Sequence, residues 1–250
     1  MSHIFASDLH LGSERPEKVS LFEDFLKRAS GVADSLYILG DLFDIWLGDD
    51  DDSDPHPKTV RAMREFADSG ARLFVMSGNR DFLLGDEFER ASGATLLDDW
   101  HTLDLYGART LLTHGDLLCT KDIQYQAFRK YVRDPENQKR FLAQPVDERR
   151  KIAADTRNGT KASMSGKDDF IMDVEQSTVE RIMGEFQVVR LIHGHTHRPA
   201  IHTFRDGGTE FERVVLGDWY EDGMVAVYDQ SGLRRMSVAD FVAAPNAATA

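Results

Sequence analysis

Residues 36–41 read Leu-Tyr-Ile-Leu-Gly-Asp, a short apolar run that ends at a glycine and a carboxylate. Four other stretches have a similar form, each with a possible metal ligand close behind the run. They are residues 3–8, 73–79, 110–114 and 188–195. Runs of four or five mainly apolar residues are too short for buried helices, so they predict strands that are buried on both faces.

Helical patterns lie between these strands. Apolar residues recur at three-and-four spacing in residues 21–26 and 60–67, which covers one face of a helix. Because such helices alternate with apolar strands, the sequence predicts an α/β fold with a sheet covered on both sides. After residue 200 the pattern changes to strand-like pieces at 214–216 and 224–228.

The composition is that of a folded protein, with 41% hydrophobic and 29% charged residues in 250. We expect one domain over residues 1–240 and a frayed tail over 241–250. The formal charge of −13 argues against a surface built for nucleic acid, so no such partner is expected. A single cysteine, and a start without a basic-then-apolar run, favour the cytoplasm. No apolar stretch approaches the ~20 residues of a transmembrane helix.

The segment from Lys121 to Lys167 differs from the rest of the chain. It contains 12 basic and 6 acidic residues, a net charge of +6 in a chain whose total is −13. Apolar residues recur within it at helix-like spacing. The sequence therefore predicts a basic, amphipathic helical cap inserted between the fourth and fifth strands of the main pattern.

Seven side chains behind the predicted strands are candidate metal ligands. In an open α/β sheet the loops at the carboxyl ends of the strands meet in one crevice, so we expect these side chains to converge. They are Asp8, His10, Asp41, Asn79, His114, His195 and His197. Seven donors exceed the four or so that one small cation takes from a protein, which indicates two ions. The mixture of carboxylate, imidazole and amide favours Mn, Fe or Zn.

Other polar residues have ordinary interpretations. The histidines at positions 3, 56, 101 and 202 are isolated, and isolated histidines are usually core or surface residues. The four consecutive aspartates at 49–52 are more typical of a solvated loop than of a site.

Five blocks, taken in order, resemble the signature of the calcineurin-like metallophosphoesterases. They are residues 8–10 (Asp-Leu-His), 40–44 (Gly-Asp-Leu-Phe-Asp), 78–81 (Gly-Asn-Arg-Asp), 114–116 (His-Gly-Asp) and 193–197 (His-Gly-His-Thr-His). The resemblance implies an α/β (α+β) fold of four layers, a β-sandwich of mixed sheets flanked by helices, in place of the parallel sheet that alternation alone suggests.

The resemblance also implies how the seven side chains are shared between two divalent ions. One ion would be held by Asp8, His10, Asp41 and His197, and the other by Asp41, Asn79, His114 and His195. Asp41 would be the bridge.

Arg80 indicates which phosphoester is cleaved. Many members of this family have a histidine after the asparagine, where it can protonate an alkoxide leaving group. An arginine does not donate its proton at neutral pH, but it can bind two phosphate oxygens at once. A phosphate leaving group is already a stable anion, so Arg80 favours a pyrophosphate bond over an alcohol ester.

Further blocks resemble the branch of the family that hydrolyses UDP-2,3-diacylglucosamine in lipid A biosynthesis. They lie at residues 37–43, 48–50, 78–85, 125–129, 171–174 and 193–200. This resemblance implies that water activated by two divalent metal ions, with Mn²⁺ as the expected metal, attacks the phosphorus of the UMP half. The products would be UMP and 2,3-diacylglucosamine 1-phosphate (lipid X).

The same resemblance implies roles for individual residues. Catalytic roles fall on Asp41, Asn79, Arg80, His114 and His195, and substrate contacts on Asn79, Arg80, Asp122, Thr160, Met164, Lys167 and His195. Thr160 keeps the hydroxyl of the serine that is frequent there. Met164 replaces an asparagine and lacks its amide donor.

A substrate with a pyrophosphate and two acyl chains needs cations close to apolar walls, and the predicted cap offers both. Such a cap could also rest on anionic lipid headgroups, so we expect peripheral attachment to the cytoplasmic face of the inner membrane. Three alternatives stay open: a different nucleotide or phosphodiester substrate, an ordinary solvated hairpin in place of the cap, and a metal-bound scaffold without catalysis. The last requires a damaged ligand set, and none of the seven ligands is missing.

Overall fold

The computed structural model describes residues 2–164, 173–221 and 223–244, with side chains described outside 158–164. The strands in these residues are β1 (His3–Ala6), β2 (Ser35–Leu39), β3 (Arg72–Met76), β4 (Thr95–Leu97), β5 (His101–Leu105), β6 (Ala108–Leu112), β7 (Arg190–His193), β8 (Ala200–Asp206), β9 (Thr209–Val215), β10 (Met224–Asp229) and β11 (Gly232–Ser237). The helices are α1 (Pro16–Ser30), α2 (His56–Asp68), α3 (Asp86–Ser92), α4 (Ile123–Val132), α5 (Pro135–Leu142), α6 (Val146–Met164), α7 (Gln176–Phe186) and α8 (Val238–Ala243).

The strands form two mixed sheets. The first has the order β11-β10-β1-β2-β3-β4, in which β1 to β4 are parallel and β10 and β11 are antiparallel to their neighbours. The second has the order β5-β6-β7-β9-β8, with β6, β7 and β9 parallel and the two edge strands antiparallel. The predicted mixed-sheet sandwich is confirmed, and the simple parallel sheet is wrong because both sheets end in antiparallel strands.

Alternation of side chains along each strand explains the continuous apolar runs. In β1, Ile4 and Ala6 pack with the helices α1 and α2, whereas Phe5 packs between the two sheets. Successive side chains of a strand point to opposite faces, so a strand with a core on each side needs apolar residues throughout. A third core forms where α7 covers the second sheet. The layers are therefore helix, sheet, sheet and helix.

The helices α4, α5 and α6, called the cap helices below, lie in the segment where the sequence predicts a cap. Arginines of this segment bind acidic and carbonyl groups in the rest of the protein, called the body below. Arg129 binds Asp116 and Asp99, Arg133 binds Asp99 and the Gly78 carbonyl, Arg149 binds Asp50 and the Leu47 carbonyl, Arg150 binds Asp51, and Arg157 binds Asp44. Much of the positive charge of this segment therefore faces the protein itself. None of the helices in the described ranges is long and apolar enough to cross a membrane.

Two expectations need correction. Residues 241–243, assigned to a frayed tail, instead complete α8, and Phe241 is 5% exposed and packs 5.3 Å from the Phe25 ring. The run 49–52 is not simply a solvated loop. Asp51 is 4% exposed, and the Asp49 carboxylate accepts hydrogen bonds from backbone N–H groups at the start of α3. In both cases the residues contact partners that are distant along the chain, and the local sequence gives no sign of them.

Candidate metal centre

The ends of β1 and β7 bring three of the candidate ligands together. Nε2 of His197 lies 3.2 Å from Oδ1 of Asp8 and 3.4 Å from Nε2 of His10. Nε2 of His10 lies 4.0 Å from the same Asp8 oxygen. Three ligand atoms thus surround one point at the edge of the first sheet.

A second group forms where the ends of β3 and β6 face the loop after β7. Oδ1 of Asn79 lies 3.0 Å from Nε2 of His114 and 2.9 Å from Nδ1 of His195. Oδ1 of Asp41 lies 3.8 Å from the same nitrogen of His114. The structure therefore brings all four side chains of the second implied ion site into one group.

Two carboxylates lie between the groups. Oδ2 of Asp41 is 3.9 Å from Nδ1 of His10, so its two oxygens face one histidine of each group. Ligand atoms of Asp8, Asp41 and His114 also lie within 4.8 Å of one another, as do those of Asp8, His10 and His197. Both Asp8 and Asp41 reach across the centre, whereas the resemblance implies that Asp41 alone does so.

The backbone of these residues is unusual. Seven non-glycine residues in the described ranges have a positive φ, and five of them are candidate ligands: Asp8 (57°), His10 (48°), Asp41 (52°), His195 (69°) and His197 (54°). A non-glycine residue in this conformation costs of order 1–3 kcal/mol and persists only where the surroundings enforce it. Strain concentrated on one set of side chains indicates a functional site.

Two glycines allow the ligand loops to approach closely. A Cβ on Gly78 would overlap the carboxylate of Asp41, and a Cβ on Gly194 would overlap Ser7 and Asp8. The loops after β3 and β7 can therefore approach the acidic ligands only with glycine at these two positions.

Hydrogen bonds fix the orientation of the ligands. The Ser7 hydroxyl donates to Oδ2 of Asp8 at 2.6 Å, which leaves Oδ1 to face the histidines. The backbone N–H of Arg80 donates to Oδ1 of Asp41 at 2.8 Å. Nδ1 of His114 lies 2.8 Å from the Leu39 carbonyl, so Nε2 points into the centre. Second partners of this kind set which imidazole nitrogen is available to a metal ion.

Burial and neighbouring charges lower the pKa of some candidate ligands and raise the pKa of others. Burial lowers the pKa of His10 and of His195 to about 4, so both are neutral near pH 7 and can bind a cation. Burial raises the pKa of Asp41 to about 7, and the nearby carboxylate of Asp8 adds to this shift. Burial would lower the pKa of His197, but hydrogen bonds to Asp218 and Asp8 raise it to about 10.

The residues present fit a pair of divalent cations. Nδ1 of His10 is buried and has no hydrogen-bond partner in the part of the chain that the structure describes. Two buried aspartates close together repel each other when both are ionised, and a cation between them removes that cost. The donor set of carboxylates, imidazoles and one amide suits Mn, Fe or Zn.

A sequence model of the calcineurin-like phosphoesterases matches residues 1–199, a range that contains every one of these ligands. The chain belongs to the calcineurin-like phosphoesterase family. Members of this family are metal-dependent hydrolases, and the candidate ligands of this phosphoesterase occupy its signature blocks.

Full-length relatives extend the similarity beyond the family signature. UDP-2,3-diacylglucosamine hydrolase of Cellvibrio japonicus is 47% identical over 234 residues, which cover 93% of this chain and 97% of the relative. The enzyme of the same name from Salmonella typhi is 49% identical over 89% of this chain and 93% of its own length. Among solved structures, a phosphoesterase from E. coli covers 96% of this chain and 94% of its own, with 19% identity and a TM-score of 0.48.

The predicted substrate contacts are described only in part. Asp122 is the N-cap of α4, and its Oδ1 accepts a hydrogen bond from the Tyr125 N–H at 3.0 Å. Thr160 and Met164 lie in α6, but their side chains are outside the described set, and Lys167 lies outside the described residues. Their contacts with substrate stay predictions.

Asp218 of this phosphoesterase is not among the residues predicted from the sequence. Its Oδ2 lies 3.1 Å from Nδ1 of His197, on the side of the ring away from Asp8. The signal was present, because residues 214–218 read Val-Val-Leu-Gly-Asp and repeat the strand-glycine-aspartate pattern of residues 36–41.

A buried network that joins the cap helices to the centre was also missed. Oδ2 of Asp116 accepts hydrogen bonds from the Tyr125 hydroxyl at 2.5 Å and from Nε of Arg129 at 2.7 Å. The Tyr125 ring lies 5.9 Å from the His195 ring. The second half of the metal centre is therefore in contact with α4.

Proposed function

We propose that this phosphoesterase hydrolyses the pyrophosphate bond of UDP-2,3-diacylglucosamine to UMP and 2,3-diacylglucosamine 1-phosphate, with two Mn²⁺ ions. The side chain of Arg80 is the observation that carries the choice of a pyrophosphate. The backbone N–H of Arg80 donates to Asp41, so this side chain starts next to the candidate metal ligands. Among the described residues, no carboxylate lies within ion-pair distance of the Arg80 guanidinium. The identical names of the relatives from two organisms support the same substrate.

The protein's own groups would position the substrate. Bound divalent ions would polarise the phosphoryl oxygens and lower the pKa of a water molecule. Asp8, Asp41 and the histidines would hold the ions, and Asn79 would be shared between the second ion and the substrate. Arg80 would bind phosphate oxygens through two N–H groups and balance charge that develops on them. Since arginine does not supply a proton, the leaving group must depart as a stable anion, as a sugar phosphate does.

The direct test is turnover by purified, Mn²⁺-loaded protein. Release of UMP from UDP-2,3-diacylglucosamine, abolished by a chelator and restored by Mn²⁺, supports the proposal. A simple phosphodiester serves as the comparison substrate. Good turnover of the diester with none of the lipid nucleotide would reject this substrate and favour a different phosphodiester.

We also propose that the cap helices contact the acyl chains and an anionic membrane surface. Among the described side chains of these helices, five large apolar ones are exposed, namely Ile123, Phe128, Tyr131, Leu142 and Ile152. Exposed cations lie between these apolar side chains, including Lys130 on α4 and Lys139 on α5. Exposed apolar groups beside cations suit the interface of an anionic bilayer. Because five arginines of the segment are bonded to the rest of the protein, exposed lysines such as Lys130 and Lys139 would meet the lipid.

Sedimentation with vesicles tests this second proposal. The double variant Ile123→Ser, Tyr131→Ser should bind phosphatidylglycerol vesicles more weakly than the unchanged protein. Ile201→Ser is the matched control, because Ile201 is 42% exposed on β8, outside the cap helices. Equal binding by all three proteins would exclude the cap helices as the membrane contact.

A further inference from the structure

Arg15 and Tyr220 flank the first group of ligands and have no role so far. The Tyr220 ring stacks on His10 at 5.1 Å between centroids, with 19° between planes, and lies 5.6 Å from the His197 ring. Cζ of Arg15 lies 4.4 Å from the centre of the Tyr220 ring. Tyr220 is 38% exposed, so the pair forms part of the wall at the mouth of the centre.

This wall is held in place from behind. Trp219 is 1% exposed, and its ring packs edge-on against Phe25 at 5.5 Å. The backbone N–H of Trp219 donates to the Asp8 carbonyl at 3.1 Å. The Lys18 ammonium donates to the Glu221 carbonyl, which ties the Tyr220 loop to α1. Arg15 is the residue directly before α1. Both side chains are therefore attached to the same rigid element, as a preorganised binding surface requires.

The guanidinium of Arg15 is available to an anion. In the described ranges no carboxylate pairs with it, and Tyr220 is its side-chain contact. Two acidic groups near Tyr220 already have partners, since Asp44 pairs with Arg157 at 2.8 Å and Asp218 with His197 at 3.1 Å. An unpaired arginine next to an exposed aromatic ring suits a ligand with a phosphate, hydroxyl groups and a planar base.

The position of the cap helices decides which half of the substrate meets this wall. The helix α4, which carries Ile123, Phe128 and Tyr131, contacts the second group of ligands, where Tyr125 lies beside His195 and Arg133 at the end of the helix donates to the Gly78 carbonyl. Tyr220 contacts the first group, at His10 and His197, and Arg15 lies over the Tyr220 ring. A pyrophosphate that spans both groups has one substituent on each side. The apolar half belongs with the exposed apolar cap, so the polar half projects toward Arg15.

We propose that Arg15 and Tyr220 form the subsite for the nucleoside 5′-monophosphate half of the substrate, an inference that rests on the proposed function above. Arg15 contacts the phosphate or ribose of that half, and the Tyr220 ring orients the guanidinium. The pair selects for a nucleotide on this side and leaves recognition of the lipid half to the cap helices.

The binding of the two products tests recognition of each half of the substrate separately. The probes are UMP and 2,3-diacylglucosamine 1-phosphate, each titrated by calorimetry into Mn²⁺-loaded protein and each used as an inhibitor of turnover. Arg15→Ala and Tyr220→Ala are expected to weaken the binding of UMP by about tenfold or more. Both variants should bind the lipid product as the unchanged protein does. Tyr220→Phe keeps the ring beneath the guanidinium and should retain most UMP affinity.

Controls keep the result specific to this surface. Arg205→Ala removes an exposed arginine that pairs with Glu210 on the next strand, far from the ligands in the fold, and should leave UMP affinity unchanged. Bound Mn²⁺ is measured for each variant, because Tyr220 touches His10. Unchanged UMP affinity in Arg15→Ala, equal weakening of both products, or loss of Mn²⁺ in parallel with UMP would each overturn the inference. An unchanged protein that neither binds nor releases UMP would overturn the proposed function as well.

Discussion

Asp218 lies 3.1 Å from His197, with its Oδ2 facing Nδ1 of the ring, while Nε2 of the same ring faces Asp8. A carboxylate behind a metal-binding histidine fixes the tautomer and makes the ring a stronger ligand. The hydrogen bond from the Trp219 backbone N–H to the Asp8 carbonyl holds the neighbouring residue in place, so the loop after β9 supports the candidate metal centre.

We predict that Asp218→Asn lowers Mn²⁺ affinity by roughly 10- to 100-fold without unfolding the protein. The asparagine keeps the size of the side chain but removes the charge that orients His197. Competition with a metal-sensitive dye measures the affinity. Asp24→Asn is the matched control, since Asp24 is exposed and pairs only with Lys27 among described residues. Equal affinity in both variants would show that Asp218 does not support the ligand.

Replacing Asp41 is expected to remove activity altogether, because Asp41 faces both groups of ligands. Asp41→Ala should lose both ions as well as turnover. Arg80→Ala should instead keep its ions and lose about 2–4 kcal/mol of transition-state stabilisation, seen in kcat/KM. Metal analysis and steady-state kinetics on the two variants check this contrast. Similar mild defects in both would contradict the roles assigned here.

Metal binding should strengthen as the pH rises through neutrality. In the metal-free protein the pKa of Asp41 is raised to about 7 by burial, and that of His197 to about 10 by its two carboxylate partners against the effect of burial. Both groups bind a cation only without their protons, so the ion must displace protons below these values. Calorimetry at pH 6, 7 and 8 in buffers of different ionisation enthalpy should show proton release. Binding with no proton release at pH 6 would disprove the linkage.

Arg149 is expected to hold the cap helices on the body. It is 1% exposed and donates to the Leu47 carbonyl and the Asp50 carboxylate, which belong to the loop between β2 and α2, outside the cap helices. Arg149→Ala leaves a buried carbonyl without its donor, at a cost of about 1–3 kcal/mol. Limited proteolysis should cut the cap helices faster, and activity on a soluble phosphodiester should persist.

Arg140→Ala is the control for that change, because Arg140 is exposed and bonds only within its own helix among described residues. It should resist proteolysis as the unchanged protein does. If Arg149→Ala also leaves the cleavage rate unchanged, the cap helices do not depend on this contact.

Much of the fold could be predicted locally. The strand at residues 3–6 begins and ends where its apolar run does, and β2 and β3 differ from their predicted runs by one residue. A strand buried on both faces must be apolar along its whole length, and this leaves a clear signal. The short edge strand β4 and the exposed β8 were not predicted, because an edge strand has fewer buried side chains.

The sequence by itself determined the apolar strands, the seven candidate ligands and the basic segment, because each depends on residue types close together along the chain. Only the tertiary structure decided that Asp218 supports His197, that Phe241 completes a core and that five arginines of the basic segment bind the body. Those contacts join residues separated by 13 to more than 200 positions. Their partners are selected by the packing of two sheets against each other, which no local pattern of residues contains.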